Sequence, residues 1–340
     1  MRRMIAAFAL LASCGGGAEP VAPGPQIIIS REWVPGGGDR FMNVYSRQER
    51  TSAQMVEAAK QLLAAGQLEQ AMELLGSVRA FERDPASVQE ALWTESAARR
   101  ARGNWQAAFD AMMAFIHRTP ESARSARARK ELFEIAKEAI EKGESRSFLI
   151  FGYSSSELGF ELMQKALASF PHSELSPGYA VWLADRLFKE ARYSDVEKVC
   201  KFITTTYGRD QAETLASGYF LLGEVHLTRF NGLQYDVTPL KDADKQFHRI
   251  LEEFPLTIVV DKARTRRAQI EEQLARKQIL AGDFYRSKGR PIAAALYYSH
   301  VVREYPSSAG ALEAQERLRA LTPVPEPPTA PPPTPPPGNK

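Results

Sequence analysis

The chain has 340 residues, of which 44% are hydrophobic, and it carries a formal net charge of +3. This hydrophobic content is sufficient for a continuous core. The small net charge excludes the strongly basic surface with which nucleic-acid-binding proteins meet phosphate. The only two cysteines, Cys14 and Cys200, exclude a disulfide framework within one chain.

The amino terminus has the pattern of an export signal. Arg2 and Arg3 precede a short apolar stretch, Met4–Leu11, which is too short to span a bilayer as a permanent helix. The sequence that ends at Cys14, Leu-Ala-Ser-Cys, resembles the lipobox of bacterial lipoproteins. That resemblance implies removal of residues 1–13 as a signal peptide and acylation of Cys14 with palmitate or a similar chain. An ordinary secretory signal with an incidental cysteine is the alternative.

The resemblance also implies a destination. Gly15 follows the lipobox cysteine, and in Gram-negative sorting a residue other than Asp at this position favours the outer over the inner membrane. The expected location is therefore the outer membrane, lipid-anchored and facing the periplasm. Loss of residues 1–13 leaves a net charge of +1, which again provides no footprint for nucleic acid.

Residues 14–50 are predicted to be a flexible tether between the lipid anchor and the folded body. Gly15–Pro25 is rich in Gly and Pro and unsuited to helix. Gln26–Val44 is more apolar and is expected to lie against the first repeat.

An internal repeat dominates residues 51–321. A small or compact residue recurs, usually with Pro twelve residues later, and such self-similarity indicates a repeat architecture. The pairs are Ala108/Pro120, Gly159/Pro171, Ala243/Pro255 and Ala294/Pro306, with Val196/Gly208 as a variant and Ala71/Pro85 as a first copy stretched by two residues.

Twelve residues are a little over three helical turns, so each pair predicts one helix of a helical hairpin. The small residue permits close approach of the neighbouring helix, and Pro denies the next backbone N–H. Gly66, Gly103 and Gly289 stand five residues before the small positions, where a turn between two helices is expected. The pattern resembles the tetratricopeptide repeat.

The predicted fold is all-α, a right-handed α-solenoid of about six tetratricopeptide-like hairpins plus a capping helix near Ser308–Leu321. Gly143–Glu157 and Arg229–Pro239 are predicted as long turns, and Ile258–Lys288 as a helix of about eight turns. Residues 322–340 hold ten prolines and are predicted to be a disordered or polyproline II tail.

No constellation of catalytic residues is found in the sequence. The five histidines fall in different repeats without metal-ligand spacing, and the glycine clusters lack the strand, lysine and helix of a phosphate loop. Cys200 lies in an apolar helical stretch, which predicts a buried free thiol. We therefore expect no enzyme, no metal, no cofactor and no small-molecule substrate.

A narrower resemblance appears over Lys245–Leu321, which is similar to the carboxy-terminal repeats of the BamD-type lipoproteins of the outer-membrane β-barrel assembly machine. The matching steps are Phe254-Pro255, Leu274-Ala275, Phe284-Tyr285, Ala294-Ala295 and Tyr305-Pro306. The chain departs from that family in having six predicted repeats rather than five and in its Pro-rich tail.

The resemblance implies function by binding. In the family, the carboxy-terminal repeats dock the central barrel-inserting protein, and the amino-terminal repeats are thought to receive unfolded outer-membrane proteins. By position, the docking residues here are expected to be Arg264, Arg267, Glu271, Arg290 and Arg303. The alternative is an envelope scaffold that coordinates peptidoglycan synthesis or cell division, for which the Pro-rich tail would be an asset.

Overall fold

A computed structural model of the chain describes residues 33–44, 46–81, 84–146 and 155–321. The predicted signal peptide, Cys14 and the tail at 322–340 lie outside these residues. The described part contains thirteen α-helices, which confirms the predicted all-α fold of helical hairpins. The chain divides into two compact units, Met1–Gln164 and Lys165–Lys340.

The first unit contains a small sheet followed by three helical hairpins, α1–α2, α3–α4 and α5–α6. The last helix, α6, runs across the boundary between the units. The strands are β1 (Trp33–Pro35), β2 (Arg40–Asn43) and β3 (Glu49–Thr51), and the helices are α1 (Ser52–Ala64), α2 (Leu68–Phe81), α3 (Pro85–Ala101), α4 (Trp105–Arg118), α5 (Ser125–Arg146) and α6 (Ser155–Ser169).

The sheet corrects the prediction of a flexible tether through residue 50. Strands β1, β2 and β3 form an antiparallel meander in which Trp33 pairs with Asn43. Gly38, with φ +63°, lies in the turn between β1 and β2, where a left-handed residue is required. Phe41 is fully buried, and its ring centroid lies 5.8 Å from that of Phe81 on α2. The apolar side chains of this segment thus find a partner on the first hairpin, which orders the backbone.

The second unit continues with three more hairpins, α7–α8, α9–α10 and α11–α12, and ends in the capping helix α13. Its helices are α7 (Ser176–Lys189), α8 (Tyr193–Thr206), α9 (Ala212–Thr228), α10 (Thr238–Glu253), α11 (Val260–Ser287), α12 (Pro291–Glu304) and α13 (Ala309–Leu321), with a short 3₁₀ helix at Arg209–Gln211.

These bounds match the expected elements closely. The predicted helix at 258–288 is α11, the predicted turn at 229–239 is observed at residues 229–237 between α9 and α10, and the capping helix is α13. Of the predicted turn at 143–157, residues 143–146 belong to α5 and residues 155–157 to α6, and the rest lies outside the described residues. No helix among the described residues is long and apolar enough to cross a membrane.

The repeat positions occupy equivalent places in the six hairpins. Each small residue lies in the first part of the second helix of its hairpin and is buried: Ala71, Ala108, Gly159, Val196, Ala243 and Ala294. Pro120, Pro171, Pro255 and Pro306 each stand two residues after the end of a second helix.

Pro85 plays a different role from the one expected. Helix α2 has already ended at Phe81, and Pro85 is the first residue of α3. The Asp84 carboxylate accepts hydrogen bonds from the backbone N–H of Ala86 and of Ser87, so it caps α3. Proline suits this first position because its missing N–H has no helical partner in any case.

The turns within the hairpins use the left-handed conformation. Gly66, Gly103 and Gly289 have φ of +78°, +74° and +66°. The turn between α7 and α8 places Ala191 in the same region, with φ +57°. A hairpin of this type can therefore form without glycine, at a cost of about 1 kcal/mol in backbone strain.

Candidate binding surfaces

A groove in the first unit is lined by α3, the start of α4, and α5. It encloses about 670 Å³, and its walls include Trp93, Arg100, Trp105, Glu131 and Glu138. We call it the α3–α5 groove. Helices α3 and α5 are the first helices of consecutive hairpins, and in helical repeat proteins such stacked helices create extended binding surfaces.

The charged wall of the groove is held by Arg100. Its Nε and Nη2 atoms each donate to a carboxylate oxygen of Glu138 at 3.0 Å, and its Nη1 donates to Glu131 at 2.6 Å. These hydrogen bonds from Arg100 lower the pKa of Glu138 below its ordinary value. Because each of the three guanidinium nitrogens donates to one of the two carboxylates on α5, Arg100 fixes α5 against α3.

Aromatic rings form the second component of the groove. The guanidinium groups of Arg124 and Arg127 lie 4.6 Å and 5.2 Å from the ring centroid of Trp93. The Lys142 ammonium lies 5.6 Å from the ring centroid of Trp105. The groove therefore combines π faces and cations, a combination suited to a peptide segment with apolar and acidic side chains.

The second unit carries a different surface. Seven large apolar side chains between residues 256 and 312 are more than half exposed, from Leu280 at 53% to Leu256 at 96%. We call this set the carboxy-terminal apolar surface; it is extended rather than compact, since Leu256 and Ile258 precede α11 whereas Phe284 lies near its other end. Its members are Leu256, Ile258, Leu280, Phe284, Ile292, Leu296 and Leu312.

The structure does not bring the five predicted docking residues into one site. Arg264 lies near the start of α11, whereas Arg290 follows its end, roughly 35 Å further along the axis. Arg303 lies near the end of α12, where its side chain is 72% exposed and contacts Glu304. A single compact contact patch made of all five residues is therefore excluded.

Two of the predicted residues are engaged within the fold. Arg267 Nε donates to Asp244 on α10 at 2.7 Å, and its Nη2 lies 3.6 Å from Glu271, one turn further along α11. Arg264 is exposed and, within the described ranges, forms an ion pair only with Asp261, at 2.8 Å on its own helix. Arg267 thus links α11 to α10, with Glu271 beside its guanidinium, whereas Arg264 remains accessible.

The residues of the α3–α5 groove were not predicted, nor were the apolar residues of the second unit. One signal was present: Leu256 and Ile258 are large apolar residues in the turn after Pro255, where polar residues are usual. Leu280 and Phe284 gave no such signal, because apolar residues four positions apart are also typical of the buried face of a helix.

Known proteins provide a further observation. A family model described as YfiO, outer membrane lipoprotein, matches residues 153–322, which are half of the chain and include the helices α6 to α13. No curated protein matches the sequence at a significant level.

Among solved structures, the chain is similar to a tetratricopeptide repeat protein from Parabacteroides merdae. The two share 13% sequence identity with a TM-score of 0.30, over 79% of this chain and 98% of that chain. The family match is independent of this weak structural likeness. The chain belongs to the YfiO family of outer membrane lipoproteins.

Proposed function

We propose that this protein is a lipid-anchored scaffold subunit of the machine that assembles β-barrel proteins in the outer membrane. It faces the periplasm and acts by binding other proteins rather than by catalysis. The observation that carries the proposal is the carboxy-terminal apolar surface, in the half of the chain that matches the outer membrane lipoprotein family. Exposed apolar side chains that lie close together mark interaction sites, and Leu256 and Ile258 are such a pair within one turn.

The carboxy-terminal apolar surface is the proposed dock for the central barrel-inserting protein. Leu256 and Ile258 are exposed by 96% and 82%, so a partner could bury nearly the whole of both side chains. Arg264, six residues after Ile258, is an exposed cation and serves as a polar contact beside this pair, and Arg290 and Arg303 are exposed cations further along the same surface. Arg267 and Glu271 support the dock by holding α11 in place.

The α3–α5 groove is the proposed site for unfolded outer-membrane proteins. An extended segment of such a protein would lay apolar side chains on Trp93 and Trp105 and acidic groups beside Arg127. Arg127 is exposed, and no carboxylate pairs with it among the described residues. The Arg127 guanidinium is therefore available to pair with an acidic side chain of a bound protein segment.

Membrane attachment through Cys14 is part of the proposal. A multiply acylated cysteine gains about 0.8 kcal/mol for each buried methylene, so two or more chains hold a soluble domain stably on a bilayer. Mass spectrometry of the membrane-extracted protein tests this directly. An amino-terminal Cys14 that carries acyl chains is expected, and an unmodified chain in the soluble fraction would contradict the proposal.

The function is tested by identifying what the protein binds in its native envelope. Envelopes are solubilised in mild detergent, the chain is recovered through a tag placed after Lys340, and bound proteins are identified by mass spectrometry. Recovery of the central barrel-inserting protein is expected. Recovery of wall synthases or division proteins without it would overturn the assembly role in favour of the alternative, a scaffold for peptidoglycan synthesis or division.

The proposed dock is tested by Ile258→Asp, with Met42→Asp as the control. Both change an exposed apolar residue to a carboxylate, but Met42 lies on β2 of the first unit. Ile258→Asp should reduce recovery of the barrel-inserting protein about tenfold or more, since a buried unpaired charge costs several kcal/mol. Charge reversal at Arg264 should reduce recovery by a smaller factor. Equal recovery from the Ile258 variant and the control would contradict this placement of the dock.

A further inference from the structure

An aromatic cluster lies at the end of α11 where the chain turns into α12. The rings of Tyr285 and Tyr297 stack with centroids 5.3 Å apart and planes 14° from parallel. Phe284 meets Tyr285 edge to face at 5.5 Å, and its side chain is 56% exposed. We call these three residues the terminal aromatic surface.

Two cations border this surface. The Lys288 ammonium lies 5.7 Å from the Phe284 ring centroid, and Arg290 is exposed at the start of α12. Neither has a carboxylate partner within the described residues, unlike Arg286, which lies 3.5 Å from Asp283. The surface therefore offers the exposed Phe284 ring and the half-buried Tyr285 and Tyr297 rings together with uncompensated positive charge.

The chain leaves the described fold at the same end of α11 as the terminal aromatic surface. Helix α13 runs parallel to α11, because Gly310 packs on Ala275 whereas Arg317 pairs with Asp283 at 3.2 Å. The end of α13 at Leu321 thus lies level with the end of α11, within about one helical turn of Phe284 and Tyr285 along the helix axis.

The sequence that follows has matching chemistry. Residues 322–340 contain ten prolines in nineteen positions, including the P-x-x-P spacings 325–328, 328–331 and 332–335. Aromatic-lined grooves bind such segments because proline-rich chains lose little conformational entropy when they adopt the extended polyproline II form. Glu326 is the only acidic residue of the segment and follows Leu321 by five residues, about 15 Å at 3.1 Å per residue.

We propose that the Pro-rich segment 322–340 docks on the terminal aromatic surface of its own chain, with its prolines on Phe284, Tyr285 and Tyr297 and Glu326 beside Lys288. A segment that starts next to its site has an effective concentration in the millimolar range, so weak contacts suffice. The docked segment covers Phe284, one of the exposed apolar groups of the second unit, and competes there with any protein partner.

The docking is tested with the purified full chain in detergent, so its outcome does not depend on the proposed assembly partners. The photocrosslinking residue p-benzoylphenylalanine replaces Phe284, and a control chain carries it at Leu256, which is exposed at the opposite end of α11. Trypsin releases the tail as one peptide, residues 320–340, because no Lys or Arg interrupts it. Position 284 should crosslink to this peptide at least about tenfold more than position 256, as expected for a tethered ligand.

A charge exchange tests the proposed register. Lys288→Glu should lower the crosslinking yield about two- to fivefold, as loss of an exposed ion pair does, and Glu326→Lys in the same chain should restore it. Failure of the second change to restore the yield would overturn the Lys288–Glu326 contact.

Three outcomes would overturn the docking itself. The first is equal yields from positions 284 and 256. The second is crosslinking to the tail of another copy, which mixing with ¹⁵N-labelled chains reveals. The third is crosslinking of position 284 to other segments of the chain without the tail peptide.

Discussion

At the scale of single residues, glycines determine how closely neighbouring helices pack. A Cβ atom added to Gly223 on α9 would lie 2.5 Å from Cζ of Phe247, a fully buried residue on α10. Nothing lies within 4 Å of a Cβ added to Gly178, which is exposed near the start of α7. The same substitution should therefore have opposite effects at the two positions.

We predict that Gly223→Ala lowers the free energy of unfolding by about 1–3 kcal/mol, because the added methyl group overpacks the contact between α9 and α10. Gly178→Ala should raise it by about 0.4–1 kcal/mol, since alanine restricts the unfolded chain and favours helix. Urea unfolding followed by circular dichroism measures both. A Gly223 variant as stable as the parent would show that α9 and α10 can move apart freely.

Cys200 illustrates the effect of burial on a reactive group. Its side chain is fully buried, and desolvation together with nearby Glu197 raises the pKa of the thiol to about 12. At pH 8 only about one molecule in 10,000 then carries the reactive thiolate.

We predict that Cys200 in a Cys14→Ser chain fails to react with a disulfide reagent in native buffer and reacts fully in urea, measured by absorbance. The thiol ionises only in the unfolded chain between its ordinary pKa of 9.0 and about 12. The free energy of unfolding should therefore fall as pH rises through this window. Rapid labelling of the native protein would contradict the buried position.

At the scale of elements, one turn design joins successive hairpins. After each second helix that is followed by Pro, a Ser or Thr stands two residues beyond the proline, and its backbone N–H donates to the residue before the proline. The four bonds are Ser122 N to Thr119 O, Ser173 N to Phe170 O, Thr257 N to Phe254 O and Ser308 N to Tyr305 O, at 3.0–3.2 Å. This Pro-x-Ser/Thr signal was visible in the sequence but was not used in the prediction.

Ion pairs add a second link between hairpins. Arg79 on α2 and Glu95 on α3 form a buried ion pair, and Glu95 also accepts from Arg99 at 2.8 Å. Arg100 joins α3 to α5 through Glu138, as described for the α3–α5 groove. The relative position of these helices thus depends on charges as well as on apolar packing.

We predict that Glu138→Gln lowers the free energy of unfolding at pH 7 by about 1 kcal/mol, because it weakens a half-buried bidentate pair. Arg100 lowers the pKa of Glu138, so this stabilisation is present above the ordinary value of 4.5 and is lost as pH falls through the lower folded pKa. The difference between parent and variant should shrink below pH 4.5. Glu141→Gln, at a more exposed position on α5, is the control and should change little.

At the scale of the whole molecule, each of the two units has its own core. In the first unit Phe109, Phe115 and Phe133 are fully buried, and in the second the largest fully buried side chain is Tyr298. Tyr298 packs with Ala275, Ile279 and Val301, and its hydroxyl donates to Asp283 at 2.7 Å. Repeat proteins distribute stability along the chain in this way, since each repeat contacts mainly its neighbours.

We predict that Tyr298→Ala destabilises the last hairpin by about 3–5 kcal/mol through the cavity it leaves. Hydrogen exchange measured by mass spectrometry should become faster over residues 270–321 and stay unchanged over residues 52–118. Tyr298→Phe keeps the ring and should cost only about 1 kcal/mol for the lost hydrogen bond. Faster exchange across both regions would show that the chain unfolds as one cooperative body.

The sequence by itself determined that the chain is built of repeats and which helices pair to form each hairpin. The signals for helix ends, turns and close-packed positions are local. For α12, Gly289 marks the turn before the helix, Ala294 the close-packed position and Pro306 the end. It also indicated an export signal and a lipidated cysteine, which lie outside the described residues. Pro85 was misjudged because a proline after one helix and a proline at the start of the next have the same local pattern.

Only the tertiary structure decided which residues form surfaces and which hold the fold together. The guanidinium of Arg124, from the next hairpin, lies over the ring of Trp93, and Arg267 forms an ion pair with Asp244 on a neighbouring helix. Such contacts join residues more than twenty positions apart, and their distances depend on how hairpins stack. Leu280 and Phe284 have the spacing of core residues yet are exposed, because burial is decided by the neighbour that packs on a helix face and not by the periodicity of the face itself.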